Sequence, residues 1–313
     1  MAGSRSVVIA ALIANGAIAV MKFFGYLLTG SPSMLSETYH SISDTGNQVF
    51  LLIGIRYGAR DASRRHPFGY GKAQFFYAFL VSVLLFGIAG WESAKHGYQA
   101  FVDPHPVSAT PATLLGFTFP GVWVNYVVLV GAIAFEAWAL KKAYAEMKRQ
   151  MDRHGWATLR EAFRKTSDVT TLTALTEDTI AMAGAGLALV GVYLSRVTQN
   201  PLYDAFTSIL IGLMLMGFAL ALAWENKRLL LGESLPREDE RPLRELIRNA
   251  PGVTHVDALQ TVYFGPERAL LTADVSFDSG MDTEEIDDRI TSIEEEIMST
   301  DPSIKRVYLE PEL

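Results

Sequence analysis

Apolar residues recur in stretches of the length that a helix needs to cross the hydrocarbon core of a bilayer, about 20 residues. They lie at roughly 7–29, 34–58, 74–101, 119–145, 171–195 and 203–226, and predict six transmembrane helices. From Glu233 the pattern becomes that of a soluble fold. Leu243, Leu246 and Ile247 mark one face of a helix within Pro236–Ala250, which Pro251-Gly252 ends. His255–Phe264 alternates as a strand, Gly265-Pro266 turns, and Leu270–Phe277 alternates again. Asp282 caps a helix over Thr283–Met298 with Ile286, Ile290, Ile293 and Ile297 at helical spacing, and Ile304–Leu309 closes as a strand. The order helix-strand-strand-helix-strand predicts a small α+β domain.

Basic residues gather in alternate connections. Arg56, Arg60, Arg64, Arg65 and Lys72 follow the second span, and Lys141, Lys142, Lys148, Arg149, Arg153, Arg160, Arg164 and Lys165 follow the fourth. Thr29–Ser33 and Val102–Pro120 hold no Lys or Arg, and the last connection holds only Arg196. The positive-inside bias then predicts that both termini face the cytoplasm. Arg5, Val7–Ala14 and Ala17-Ile18-Ala19 imitate a secretory signal, but the apolar run continues to Leu28, too long for a signal core. It is read as the first span. With no transit peptide ahead of it, a bacterial inner membrane is the expected location.

Composition sharpens the division. Residues 1–232 carry 19 Lys and Arg against 14 Asp and Glu, whereas 233–313 carry 8 against 20. The expected domains are therefore a basic, lipid-embedded transport domain over 1–232 and an acidic cytoplasmic domain over 233–313. Nothing calls for a nucleic-acid partner. The chain has no cysteine, which removes disulfides, thiolate metal sites and cysteine nucleophiles. Any metal must be held by histidine and oxygen.

A charge in hydrocarbon costs roughly 2.5–3.5 kcal/mol on insertion scales and is rarely left there without a partner or a task. His40 and Asp44 in the second span are four residues apart, so both lie on one helix face and can present a nitrogen and an oxygen to a single ion. One carboxylate from a neighbouring helix would complete a pocket. Asp178 in the fifth span is the first choice, because Ala174 leaves its face open and Ala181, Ala183, Gly184, Ala185 and Gly186 permit close helix approach. Glu177, about 100° around that helix, shares the site or lines its entrance. Zinc accepts such donors, and a carboxylate-rich set also suits manganese or ferrous iron. Imidazole titrates near 6.5 and crowded carboxylates retain protons, so metal and protons compete for one pocket, as antiport requires.

Other polar positions have two readings each. Asn15 serves the pathway or hydrogen-bonds between helices. Glu136 joins the route or reaches toward the cytoplasmic edge. Asp204, after Pro201, lies on the route or acts structurally at a helix N-terminus. Glu37 with His40 makes a Glu-x-x-His, half of a di-iron carboxylate motif, with no second copy.

The six spans, the acidic α+β domain, His40-x-x-x-Asp44, Leu35-Ser36-Glu37 ahead of it, Asp204 through Gly212, and the loop His66-Pro67-Phe68-Gly69-Tyr70-Gly71-Lys72 together resemble the cation diffusion facilitator family, across nearly the whole chain. The resemblance implies a homodimeric exporter of divalent cations, commonly zinc exchanged for protons, with a cytoplasmic domain of metallochaperone (ferredoxin-like) shape that dimerises. It assigns metal ligation to His40, Asp44 and Asp178. Ala174 stands where zinc-transporting members usually place a histidine, which leaves Glu177 as the replacement. Leu175-Thr176-Glu177-Asp178-Thr179 is similar to the branch that contains the mitochondrial-type zinc-transporter homologues. Tyr70 stands where many members have a second loop histidine. Lys72 resembles a lysine that braces the dimer against an acid near the end of the sixth span, here Glu225. In the soluble domain only His255, with Asp274 and Glu310, offers metal donors, so that domain is read mainly as a dimerisation module.

The expected function is export of Zn²⁺, or else of Mn²⁺, Fe²⁺ or Co²⁺, as transported cargo with no resident cofactor. A membrane-bound metal sensor or scaffold is the alternative of a different class. A hydrolase is disfavoured: there is no His-Glu-x-x-His or Gly-x-Ser-x-Gly, and Ser41 is on the wrong side of its helix to pair with His40.

Overall fold

The computed structural model describes residues 2–104, 111–114 and 117–312. Helices α1 (Ala2–Thr29) and α2 (Pro32–Gly58) are joined through Gly30, whose φ of 65° reverses the chain in a conformation that glycine adopts without strain. α3 (Lys72–Leu84) and α4 (Trp91–Val102) continue one another through a π-helical turn at Leu85–Gly90. α5 (Val122–His154), α6 (Leu159–Lys165), α7 (Val169–Thr198) and α8 (Leu202–Leu231) follow.

Two features depart from the sequence reading. The connection at Val102–Pro120 holds a short antiparallel hairpin, β1 (Pro111–Leu114) with β2 (Phe117–Pro120), and part of it lies outside the described residues. α5 runs well past residue 145: its 33 residues span about 50 Å at 1.5 Å each, more than a bilayer core of about 30 Å. The excess carries Lys148, Arg149 and Arg153, and it ends where Gly155, at φ 70°, donates its N–H to the Met151 carbonyl. Such a polar extension has no hydropathy signal, so an apolar window stops short of it.

Among the described residues, Lys72–Val102, Val122–His154, Thr171–Thr198 and Leu202–Leu231 have the length and hydropathy of a span. α1 and α2 have the length, 28 and 27 residues. α2 is less apolar because it carries Glu37, His40, Asp44 and Asn47, all of which it buries.

The contacts separate two compact units: Met1–Ile53, Tyr77–Phe163 and Thr170–Trp224 in the first, Gly54–Phe76, Arg164–Val169 and Glu225–Leu313 in the second. The first is inverted relative to a water-soluble protein. Lys22, Glu37, His40 and Asn47 are wholly buried, while Phe24, Leu27, Val127, Val130, Leu220 and Trp224 are more than half exposed. Apolar side chains outward and polar ones inward is what lipid selects, since a polar group pays for leaving water only where the bundle can satisfy it. Small residues set the closest helix contact: a β-carbon at Gly212 of α8 would stand 2.4 Å from the Ala94 backbone nitrogen of α4, and one at Gly97 would stand 2.7 Å from that of Ile209.

The second unit contains α9 (Arg237–Asn249), β3 (Val253–Gly265), β4 (Arg268–Phe277), α10 (Thr283–Thr300) and β5 (Ile304–Glu312), in the order read from the sequence. The sheet runs β3-β4-β5, antiparallel then parallel. α9 lies against β3 and α10 against β5, and Leu243, Ile247, Ile293 and Ile297 of the helices are buried, as are Leu271, Ala273, Val275 and Val307 of the sheet. Asp282 and Glu285 close a reciprocal capping box at the start of α10. The unit also takes in the loop after α2. Gly71 meets the Phe264–Gly265 backbone so closely that a β-carbon would be 2.5 Å from the Phe264 carbonyl oxygen, and the tilted rings of Phe68 and Phe264 lie 6.3 Å apart.

Candidate cation site

α2 places its polar residues on one buried side. His40 Nδ1 lies 3.3 Å from Asp44 Oδ1, the one-turn contact that their spacing predicts. Neither His40 nitrogen has a hydrogen-bond partner, nor does Asp44 Oδ1. One turn onward, Asn47 Nδ2 donates to Glu177 Oε1 of α7 at 2.8 Å, which anchors that acid beside α2. Glu177 and Glu136 are acidic neighbours of Asp44. Asp178 is half-buried and neighbours Glu136 and Glu177. The structure thus brings His40 and Asp44 into direct contact and turns Glu177 of the α7 pair toward them. Among the described residues, no three His, Asp or Glu side chains converge within metal-ligating geometry.

The remaining candidates are scattered. Asn15 Oδ1 is buried without a hydrogen-bond partner. Glu136 is buried on α5, within the field of Lys22 and Asp178. Asp204 is occupied: Ser33 donates to its Oδ1 through the backbone N–H at 3.3 Å and through its hydroxyl, so the carboxylate serves the first turn of α2. Glu225 contacts Arg228 Nε at 2.5 Å, and Lys72 Nζ stands near Gly232. In the soluble unit, His255 is exposed and 3.7 Å from Asp257, while Asp274 and Glu310 sit opposite each other on β4 and β5.

Two residues escaped the sequence reading. Asn47 gave no signal, since one amide in a span is ordinary. Lys22 did: it is the one basic residue inside the first apolar stretch. Wholly buried, it donates to Glu37 Oε2 at 2.7 Å and to Ser41 Oγ at 2.9 Å. Glu37 directs its other oxygen at Gly184 of α7, where a β-carbon would lie 2.5 Å from Oε1.

An apolar shell around a buried imidazole and several carboxylates is chemistry for a cation, and comparison with known proteins points the same way. The cation efflux transmembrane domain family matches residues 8–231, and the cation efflux protein cytoplasmic domain family matches 235–312. The chain belongs to the cation diffusion facilitator family. It is therefore an integral membrane protein, and its family is one of transporters, not enzymes. The human proton-coupled zinc antiporter SLC30A9, mitochondrial, is 29% identical over 299 residues, 94% of this chain and 50% of that protein. The cation-efflux pump FieF of Pectobacterium atrosepticum is 27% identical over 85% of this chain and 79% of FieF. The chain thus spans about half the length of the mitochondrial relatives it matches. The nickel form of a MamM C-terminal domain variant aligns with 25% of this chain and 96% of its own, at 16% identity and a TM-score of 0.24.

Proposed function

We propose that this protein exports a divalent metal cation from the cytoplasm in exchange for protons, with Zn²⁺ as the first candidate. The observation that carries the reading is the buried His40–Asp44 pair, 3.3 Å apart, with the acceptor and imidazole nitrogens free of other partners and Glu177 turned toward it. The matched family and the proton-coupled zinc antiporter among its relatives support it.

On this reading six helices span the bilayer and both termini are cytoplasmic. The acidic residues of 233–313 raise the local cation concentration. The ion meets His40 and Asp44, with Glu177 or Asp178 as the α7 donor, and displaces the protons these groups hold. Rocking of the helices about the midplane exposes the pair to the far side, where protonation releases the ion. The soluble unit joins two copies into a dimer, as the cytoplasmic domain of the family implies.

One observation favours a second cargo. Ala174 leaves the site with His40 as its one imidazole among several carboxylates, and an oxygen-rich donor set suits Mn²⁺ or Fe²⁺ as well as Zn²⁺. The test is flux of Zn²⁺, Mn²⁺, Fe²⁺ and Co²⁺ into proteoliposomes carrying a pH gradient, for wild type and Asp44→Ala. Gradient-dependent flux that disappears in Asp44→Ala is expected, and the ion carried names the cargo. Absence of flux for every ion, in folded and correctly oriented protein, shifts the reading to a metal sensor or scaffold.

A further inference from the structure

The site described so far uses the acids and the histidine but leaves one buried group unexplained. Lys22 has no exposure at all, and it lies in α1, away from the basic connections at the helix ends. Its ammonium is held by Glu37 Oε2 at 2.7 Å and Ser41 Oγ at 2.9 Å, both on α2, and Ser41 is the residue after His40. Glu37 is equally buried, with one oxygen bound by Lys22 and the other facing Gly184 without a hydrogen-bond partner. A buried ion pair contributes little net stability compared with apolar residues of the same volume, so cohesion alone is a weak reason to keep it within a membrane bundle.

Seen from the site, the pair is not neutral. Glu37, Ser41 and Asp44 recur at i, i+4 and i+7 along one face of α2, and the ammonium reaches Ser41, one turn from Asp44, while Glu37 is two turns away. The ammonium is therefore the nearer pole. We propose that Lys22 is a resident counter-cation of the transport site: its fixed charge opposes the bound divalent ion and, tethered by Glu37, sets the affinity at which cargo is held. The inference rests on the transport reading above. Two cations in a medium of reduced dielectric repel strongly, and binding that is tight enough to capture an ion yet weak enough to let it go is what transport demands. With the site empty, the same ammonium offsets part of the charge of Asp44 and Glu136.

Equilibrium titration of the purified full chain with Zn²⁺, Mn²⁺ and Co²⁺ at constant pH, with thermal unfolding followed in parallel, tests this. Glu37→Gln leaves the ammonium unopposed and is expected to weaken binding at least about tenfold, about 1.4 kcal/mol. Lys22→Met is expected to tighten it by a similar factor. Because Lys22→Met strands a buried carboxylate and can fail to fold, the double variant Lys22→Met/Glu37→Gln, which carries neither charge, is the second arm. It is expected to bind at least about tenfold more tightly than Glu37→Gln. Equal affinity in Glu37→Gln and the double variant overturns the proposal, as does weakening of every variant in step with its melting temperature, the mark of a structural role. Wild type that binds none of the three ions removes the transport reading itself, and with it this proposal, before any variant is compared.

Discussion

At the residue scale, function here depends on which polar atoms have partners and which do not. Asp204 has both a pathway and a structural reading in sequence, and two bonds from Ser33 tie it to the start of α2. Removing the hydroxyl in Ser33→Ala is expected to cost about 1–3 kcal/mol, because a buried carboxylate loses a donor that water cannot replace; chemical denaturation of the detergent-solubilised protein checks it. Gly184 is a harder constraint. Its missing side chain is the space that Glu37 Oε1 occupies, so Gly184→Ala must displace an acid tethered to Lys22, at a cost of about 1–3 kcal/mol. A lowered melting temperature is expected, and an unchanged one would mean that Glu37 swings freely.

At the element scale, helix packing and caps matter more than hydropathy. α4 and α8 touch backbone to backbone through Gly212 and Ala94, and a backbone atom cannot step aside as a flexible side chain can. Gly212→Val is therefore expected to lose at least about 2 kcal/mol of stability and to open the contact, measured by thermal unfolding and by protease sensitivity. In the soluble unit, Asp282→Ala removes half of the capping box of α10, with an expected loss of about 1 kcal/mol and faster amide exchange confined to the first turn. Between α8 and α9, burial pushes the Glu233 carboxyl above its ordinary range even though Arg228 bonds it. The folded state then binds more protons than the unfolded state between the ordinary and the raised value, so this group's contribution to stability declines as pH rises through that window. Glu233→Gln is expected to flatten that decline in pH-dependent melting curves.

At the scale of the whole molecule, orientation follows from where the basic residues fall. The chain has no cysteine, so single cysteines report position without interference. Gln199→Cys, between α7 and α8, is expected to react with an impermeant maleimide from outside intact cells, while Ser63→Cys, in the Arg64-Arg65 loop, is expected to react only after permeabilisation. The opposite pattern would invert the direction of transport. The division into units is also a property of the whole. Sequence charge puts the boundary at Glu233, whereas the loop after α2 and residues 164–169 belong with the soluble unit. Phe68 against Phe264 and the Ser167 hydroxyl accepting the Glu267 N–H at 3.2 Å are the contacts that recruit them.

What the chain's order of residues decided alone was everything governed by period and by the cost of charge in lipid. Long apolar runs dictate helices, the one-turn spacing of His40 and Asp44 dictates their contact, and alternation with a capping aspartate dictates the order of the soluble domain. Tertiary structure decided which groups from different helices meet. Glu177 rather than its neighbour Asp178 turns toward Asp44, because Asn47 of α2 anchors it. Asp204 went to a helix start, and Lys22 of α1 found Glu37 and Ser41 of α2. Such pairings depend on the rotation of each helix about its axis, which small residues such as Gly184 and Gly212 set by letting backbones approach. A hydrophobic pattern in lipid leaves that rotation open, since lipid covers any apolar face equally well.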